Sequence, residues 1–178
     1  KWNSKINLTA LSLSPASDEA IDRLLVEPAL AARHIMHSDR LAIELGSGGG
    51  SPGFPLKIAA PWLRLVMVEA KARKCAFLRE VVRQLCLADV EVANSRFEEL
   101  LTRPDLHESA DLVSVRAVRA DQKLWSSAQA FLKPGGRVLW FTSVNSAPGT
   151  ILPPFVVEDS FSLTHDSGGQ LVILRKRA

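Results

Sequence analysis

A glycine-rich segment, residues 44–50 (ELGSGGG), is the part of this sequence best suited to hold a small ligand. It follows an apolar run at 41–45 and precedes a stretch, 52–60, that can begin a helix. At such a junction glycines let a ligand approach the backbone closely and permit positive φ angles. A pyrophosphate-binding loop usually reads GxGxxG, but Ser51 occupies its third glycine position, and the third glycine here comes one residue earlier, at Gly50. The spacing therefore disfavours NAD.

Two carboxylates flank this segment along the chain. Glu69 ends the second predicted strand, about 20 residues after the loop, where a carboxylate can accept hydrogen bonds from both hydroxyls of a ribose. Glu44, on the strand before the loop, would face the positively charged amino end of a cofactor, directly or through water. A plainer alternative stays open, in which the glycines form only a tight turn and Glu69 is solvated or caps a helix.

The elements that position these residues alternate between short apolar runs and longer segments of helical period. This alternation is typical of an α/β fold with a doubly wound, mainly parallel sheet. We predict strands at 41–45, 64–68, 89–93, 111–115 and 136–142, helices at 71–86 and about 121–132, and a turn at 133–136 that stops the second helix. Extended segments near 155–164 and 170–176, joined by a hairpin turn at 166–169, would add an antiparallel edge. We expect one domain over 1–178, in which 1–40 is a helical extension truncated at its start.

Composition excludes several classes of protein. The 178 residues, 47% of them apolar, can bury one core, and no apolar run reaches the length of about 20 that crosses a bilayer. With no secretory signal in KWNSKINLTA, we expect a cytoplasmic protein. Cys75 and Cys86 lack the spacing of a zinc site or a disulfide framework, and no metal is expected. We assign no role to the histidines, which are His34, His37, His107 and His165.

Motifs spread over nearly the whole chain resemble the small-subunit ribosomal RNA methyltransferase G family, also called glucose-inhibited division protein B. The resemblance implies a class I, Rossmann-like methyltransferase fold and transfer of a methyl group from S-adenosylmethionine to guanine N7 in small-subunit (16S) ribosomal RNA. The matching motifs are Trp2-Asn3, Asn7-Leu8-Thr9, GSGGGSPGFPLKIA at 46–59, Val68-Glu69-Ala70, Arg73-Lys74, Phe77-Leu78, Ser95-Arg96, Glu98-Glu99 and Arg116-Ala117-Val118.

The same resemblance implies roles for individual residues. Gly46, Gly48 and Gly50 would pass beneath the methionine part of the cofactor, and Glu69 would hold its ribose. Arg96, Phe97 and Glu98 would lie along the adenine through backbone amides. Arg116 would border the cofactor and the methyl-transfer position, where it is the one candidate catalytic residue. The plainer alternative for Arg96 and Arg116 is an exposed salt bridge.

The chain departs from the family pattern at two places. Where the family has RHxxDS, residues 23–28 read RLLVEP, so Leu24 replaces the histidine and Glu27 replaces the aspartate. After the fifth strand, Thr142-Ser143 stands where the family often has Lys-Gly. These changes put a substrate or cofactor contact in doubt and leave the glycine segment intact.

The identity of the substrate is the prediction that individual residues support least. A net charge of +3 and a pI near 9.1 are compatible with a polyanionic partner without requiring one. Lysines and arginines would contact RNA phosphates, and the candidates are Arg73, Lys74, Arg119 and Lys123, beside Arg116. Phe54 or Trp125 could stack on a base, although buried packing is the alternative for both.

Three other functions stay open at this point. The chain could be a cofactor-binding module that has lost methyl transfer, or a methyltransferase for a small molecule or protein with a closed pocket. A nucleotide-dependent dehydrogenase is disfavoured by Ser51. For the RNA methyltransferase we expect a monomer that acts on ribosomal RNA or on the assembling small subunit.

Overall fold

The computed structural model describes residues 2–13, 15–143, 151, 153–164 and 168–177. Seven strands form one sheet in the order β3-β2-β1-β4-β5-β7-β6. Strands β1 to β5 are parallel, and β7 pairs antiparallel with both β5 and β6. The strands are β1 (Leu41–Leu45), β2 (Arg64–Glu69), β3 (Val90–Asn94), β4 (Ala110–Arg116), β5 (Leu132–Ser143), β6 (Phe155–Ser162) and β7 (Gly169–Lys176). The predicted doubly wound sheet with an antiparallel edge is confirmed.

Both faces of the sheet are covered. Ile43 and Leu45 pack into a core on one face with Trp125, and Ala42 packs into a second core on the other face with Phe54. This explains why β1 reads as an unbroken apolar run apart from Glu44, since a parallel strand buried on both faces needs no polar alternation. The helices are α1 (Asn3–Ile6), α2 (Asp18–Ile21), α3 (Glu27–Ala31), α4 (Gly53–Ala59), α5 (Ala72–Gln84) and α6 (Gln122–Phe131).

Two local predictions need correction. The segment 133–136 does not separate α6 from the next strand, because Leu132 already pairs with Ala110 and the ladder resumes at Leu112 with Arg137. The four residues between are therefore an irregularity inside β5, although the helix does stop where predicted. The helix predicted at 71–86 ends earlier, because α5 stops at Gln84 and Leu85, which follows it, is exposed.

The N-terminal region has two helical stretches, of which α1 is the first and short one. A π-helical segment (Asp22–Val26) joins α2 to α3, and a 3-10 turn (Ala32–His34) follows, so helical structure runs from Asp18 to His34. Within the described ranges, no helix is both long and apolar enough to cross a membrane. His165 and the first two residues of the predicted hairpin turn, Asp166 and Ser167, lie outside the described residues.

Strand order reverses at β1, which has β2 on one side and β4 on the other. In open α/β sheets, ligands bind outside the carboxyl ends of the strands at such a reversal. The glycine segment leaves β1 at this point, and Glu69 ends β2 beside it.

Candidate functional site

The glycine segment forms a loop fastened to the end of β2. The amides of Gly46 and Ser47 both donate to the Val68 carbonyl oxygen, each at 2.9 Å. Gly46 has φ +78°, and a Cβ there would lie 2.6 Å from Val118 Cγ2. Gly48 has φ +53°, and nothing but the Gly46 oxygen, at 3.8 Å, would lie near its Cβ. Gly46 is thus required by close packing and backbone angle together, whereas glycine at position 48 is only favoured, by the angle.

Gly50 has a different reason to be glycine. Its φ is +88°, and a Cβ would lie 2.3 Å from the ring of Phe54. Gly50 is buried and does not line the cavity described below. Its observed role is to let α4 pack against the loop, and its predicted contact with a cofactor stays a prediction.

A cavity of about 1000 Å³ lies above the loop at the carboxyl ends of the central strands. Its floor contains Gly46, Gly48 and Glu69. Its other walls come from segments that are far apart in the sequence. They are residues 8–11 and 13, Arg23 and Leu24, residues 116–118 and 120, and residues 140–143, with Lys71, Lys74 and Phe77 at one side. Small-molecule sites span about 300–1,000 Å³, so this cavity has room for a nucleoside-sized ligand and part of a second one.

Glu69 lies in the cavity wall with its carboxylate held by the backbone. Oε2 accepts a hydrogen bond from the Gly48 amide at 2.9 Å, and Oε1 accepts one from the Lys71 amide at 2.8 Å. The side-chain amide of Asn94 donates to the Glu69 carbonyl oxygen at 3.1 Å, which fixes the end of β2. A carboxylate oxygen can accept two hydrogen bonds, so each oxygen keeps acceptor capacity for a ligand hydroxyl.

Glu44 lies behind the loop rather than in the cavity wall. Its side chain is buried, and Oε1 accepts a hydrogen bond from the Gly53 amide at 2.6 Å at the start of α4. Oε2 is buried without a hydrogen-bond partner in the described part of the chain. Burial raises the pKa of this carboxyl group to about 7. Glu44 is therefore a buried acid with one oxygen left for a polar or cationic partner.

Arg116 is fixed at the cavity edge by the N-terminal helical region. Its Nη2 lies 2.6 Å from Glu27 Oε2, and its Nη1 donates to the Arg23 carbonyl oxygen. The side chains of Arg116 and Glu27 are 15% and 2% exposed. Arg116 thus forms a salt bridge, but a largely buried one, and the alternative of an exposed pair is wrong for this residue.

The same Glu27 also packs against the antiparallel edge of the sheet. A Cβ at Gly169, the first residue of β7, would lie 2.0 Å from Glu27 Oε1. Glu27 therefore fills the space that a side chain at position 169 would need. Leu24, the other departure from the family pattern in this region, lines the cavity, and its carbonyl oxygen accepts a hydrogen bond from Ser51 Oγ at 2.9 Å.

The remaining predicted residues divide into those near the cavity and those away from it. Lys74 lines the cavity, and Arg73 lines a groove beside it. Arg96, Phe97, Glu98, Arg119 and Lys123 do not line the cavity, and Arg96, Arg119 and Lys123 are exposed. The Arg96 amide donates to Glu99 Oε2 at 3.1 Å, within the turn after β3.

Aromatic residues around the cavity are not those proposed for stacking. Phe54 and Trp125 are 7% and 2% exposed and belong to the two cores, so the packing alternative is confirmed for both. Phe77, Trp140 and Phe141 line the cavity instead. Sequence reasoning also missed residues 8–13 as cavity wall, although Asn7-Leu8-Thr9 stands out among the motifs.

The strand order and antiparallel edge are those of the class I S-adenosylmethionine-dependent methyltransferase fold. The structure of the mitomycin 7-O-methyltransferase MmcR superposes with a TM-score of 0.68 over 88% of this chain and 54% of that chain, at 19% identity. The sequence model described as rRNA small subunit methyltransferase G matches residues 1–146, and the chain belongs to this family.

Curated relatives with that description align over much of the chain. The chain is 36% identical to the Ribosomal RNA small subunit methyltransferase G of Roseiflexus sp. (strain RS-1), over 78% of this chain and 58% of the relative. It is 44% identical to the protein of that name from Mycobacterium leprae (strain TN), over 66% of this chain and 47% of the relative. The chain thus spans about half the length of these relatives.

Proposed function

We propose that this chain transfers the methyl group of S-adenosylmethionine to N7 of a guanine in 16S ribosomal RNA. Membership of the family supports the reaction class and the substrate. The observation that carries the proposal is the convergence of the glycine loop and Glu69 on a cavity of about 1000 Å³ where the strand order reverses.

The residues around the cavity fit S-adenosylmethionine. Gly46 and Gly48 leave the loop backbone accessible, and the free acceptor capacity of Glu69 suits the two hydroxyls of a ribose. Glu44 Oε2, buried without a described partner, suits an ammonium group reached through a bridging water. The bound cofactor would supply an electrophilic methyl group on a sulfonium. The predicted adenine contacts of Arg96, Phe97 and Glu98 remain part of this proposal.

The reaction requires little acid or base catalysis from the protein. Guanine N7 offers a lone pair, so the N7–carbon bond forms as the carbon–sulfur bond breaks and sulfur keeps the electron pair. No proton has to be removed first. Holding the reacting atoms in line can supply roughly 7 to 11 kcal/mol. We assign this positioning to Arg116 and the adjoining wall at 140–143, where Glu27 prevents the guanidinium from moving freely.

RNA contacts and cellular context belong to the same proposal. We assign phosphate contacts to Arg73, Lys74, Arg119 and Lys123, on free ribosomal RNA or the assembling small subunit. We further infer that the chain acts as a monomeric single domain in the cytoplasm.

A cofactor-binding module without methyl transfer is the second candidate. One observation favours it: Leu24 and Thr142, which replace the histidine and the lysine of the family pattern, both line the cavity. Two residues of the cavity lining therefore differ from the family pattern, while the loop and Glu69 do not. Such a module would bind the cofactor and leave RNA unmodified.

Incubation with tritiated S-adenosylmethionine tests both candidates. The substrates are small-subunit particles and naked 16S ribosomal RNA, both from a strain that lacks this modification, and the modified base is mapped. Label at one guanine N7 with the wild-type chain, strongly reduced for Glu69→Ala and retained for the exposed control Glu158→Ala, supports the proposal. Cofactor binding without label in either substrate would refute methyl transfer and support the module.

A further inference from the structure

A second concave surface adjoins the cavity at the start of α5. This groove, of about 600 Å³, is lined by Asn3, Lys5, Ile6, Asn7, Lys71, Ala72, Arg73 and Lys74. Four of these eight residues are cationic, and none is acidic. We call it the basic groove.

The positive charges of the basic groove are not balanced by neighbouring carboxylates. None of the four forms an ion pair within the described residues. By contrast, Arg83, at the other end of α5, pairs with Glu80 at 2.7 Å, and Arg64 pairs with Glu91 at 3.2 Å. Four cations without an ion pair in the described residues therefore lie together beside the cavity.

This arrangement does not stabilise the fold. Lys71, Arg73 and Lys74 occupy the N-cap and first turn of α5, which contains no acidic residue and no side-chain cap. The start of a helix carries partial positive charge, and cations there are unfavourable by roughly 0.3–1 kcal/mol each. Such a local conflict is expected where function requires it, and an anion bound in the groove would remove it.

The basic groove opens onto the candidate site. Lys71 and Lys74 line both the groove and the cavity, whereas Lys5 and Arg73 line the groove alone. A strand whose phosphates lie in the groove can therefore place a neighbouring base in the cavity.

We propose that the basic groove binds backbone phosphates of the substrate RNA next to the guanine that enters the cavity, with Lys5 and Lys71 acting beside Arg73 and Lys74. This inference rests on the proposed function, since it takes RNA as the polyanion. It adds the N-terminal segment, through Lys5, to the RNA-binding surface.

The double variant Lys5→Gln/Arg73→Gln tests the groove, because neither residue lines the cavity. The matched control Arg83→Gln/Arg177→Gln removes the same charge from exposed positions elsewhere. Affinity for naked 16S ribosomal RNA is measured by filter binding from 50 to 200 mM salt, alongside the affinity for S-adenosylmethionine and methyl incorporation.

Each lost phosphate contact lowers the slope of log affinity against log salt by about 0.7 to 0.9. We expect the groove variant to lose about 1.4 to 1.8 in slope, and about 10- to 30-fold in RNA affinity at 0.15 M salt. Its affinity for S-adenosylmethionine should equal that of the wild-type chain, and the control should keep the wild-type slope.

The outcomes separate this inference from the proposed function. The proposal that the groove binds RNA would be refuted if both variants had the same slope of log affinity against log salt, or if the wild-type chain did not bind RNA. If the wild-type chain methylates RNA but the two variants have equal slopes, the proposed function is supported and RNA binding by the groove is refuted. A slope loss specific to the groove variant, in a chain that methylates nothing, would support the groove and reject methyl transfer.

Discussion

The buried carboxyl group of Glu44 makes the stability of this protein depend on pH. Burial raises its pKa from 4.5 to about 7. Between these two values the folded chain keeps a proton that the unfolded chain has released. The stabilisation that comes from the protonated Glu44 is therefore fully present below pH 4.5. It is lost as pH rises towards 7, where the free energy of unfolding falls by about 1.4 kcal/mol per pH unit.

The size of this effect follows from the two pKa values. Integration from pH 5 to pH 8 gives a loss of about 2.5 kcal/mol from Glu44 alone. The variant Glu44→Gln cannot ionise and keeps an oxygen for the Gly53 amide, so it should lack this loss. Urea unfolding of both proteins at pH 5, 6, 7 and 8 measures the difference in the free energy of unfolding. The exposed control Glu19→Gln should differ from wild type by about 0.5 kcal/mol or less at every pH.

A difference between wild type and Glu44→Gln that stays constant across these four pH values would refute the reasoning, because it would mean that burial does not hold the proton. The binding of S-adenosylmethionine gives a second readout. If the ammonium group acts on the ionised carboxylate, wild-type affinity rises as pH increases towards 7 and then levels off. In Glu44→Gln this rise should be absent.

Three further predictions concern the carboxylates and glycine around the cavity. Glu69→Ala should weaken S-adenosylmethionine binding about 10- to 100-fold, through loss of charge-assisted hydrogen bonds; calorimetry showing unchanged affinity would contradict this. Glu27→Gln should lower the free energy of unfolding by about 3 kcal/mol, because Arg116 keeps its charge without a carboxylate at 2.6 Å; a urea titration with a loss well below 1 kcal/mol would show the pair to be dispensable. Gly169→Ala should cost about 1 to 3 kcal/mol through the clash with Glu27 Oε1. Combined with Glu27→Asp, that loss should shrink, whereas strictly additive losses would rule out a steric origin.

The parts of the site predictable from the sequence are those that are local in the chain. The strands could be placed because a parallel sheet covered on both faces needs apolar runs. The glycine loop and Glu69 could be identified because one strand end and a fixed separation define them. The end of the helix predicted at 71–86 was placed too late because helical periodicity does not show where α5 ends.

The remaining features depend on contacts between distant residues. Arg116 and Glu27 are 89 positions apart, and no local pattern indicates that a helix before the sheet supplies the partner of the last residue of β4. The closure of the cavity by residues 8–13 is equally non-local. Even Glu44, correctly singled out, could not be placed behind the loop, because this depends on how α4 packs over β1.

The packing of Glu27 against Gly169 has a consequence for the order in which the molecule acquires its binding site. The two residues are far apart in the sequence, and contacts between such distant segments form slowly because a long loop must close first. A nascent chain that has emerged only as far as β5 already contains the glycine loop and Glu69. It still lacks β7, the strand against which Glu27, and through it Arg116, is held. We therefore expect full ligand affinity to appear only after β7 is added, so that ligand binding reports the docking of this strand.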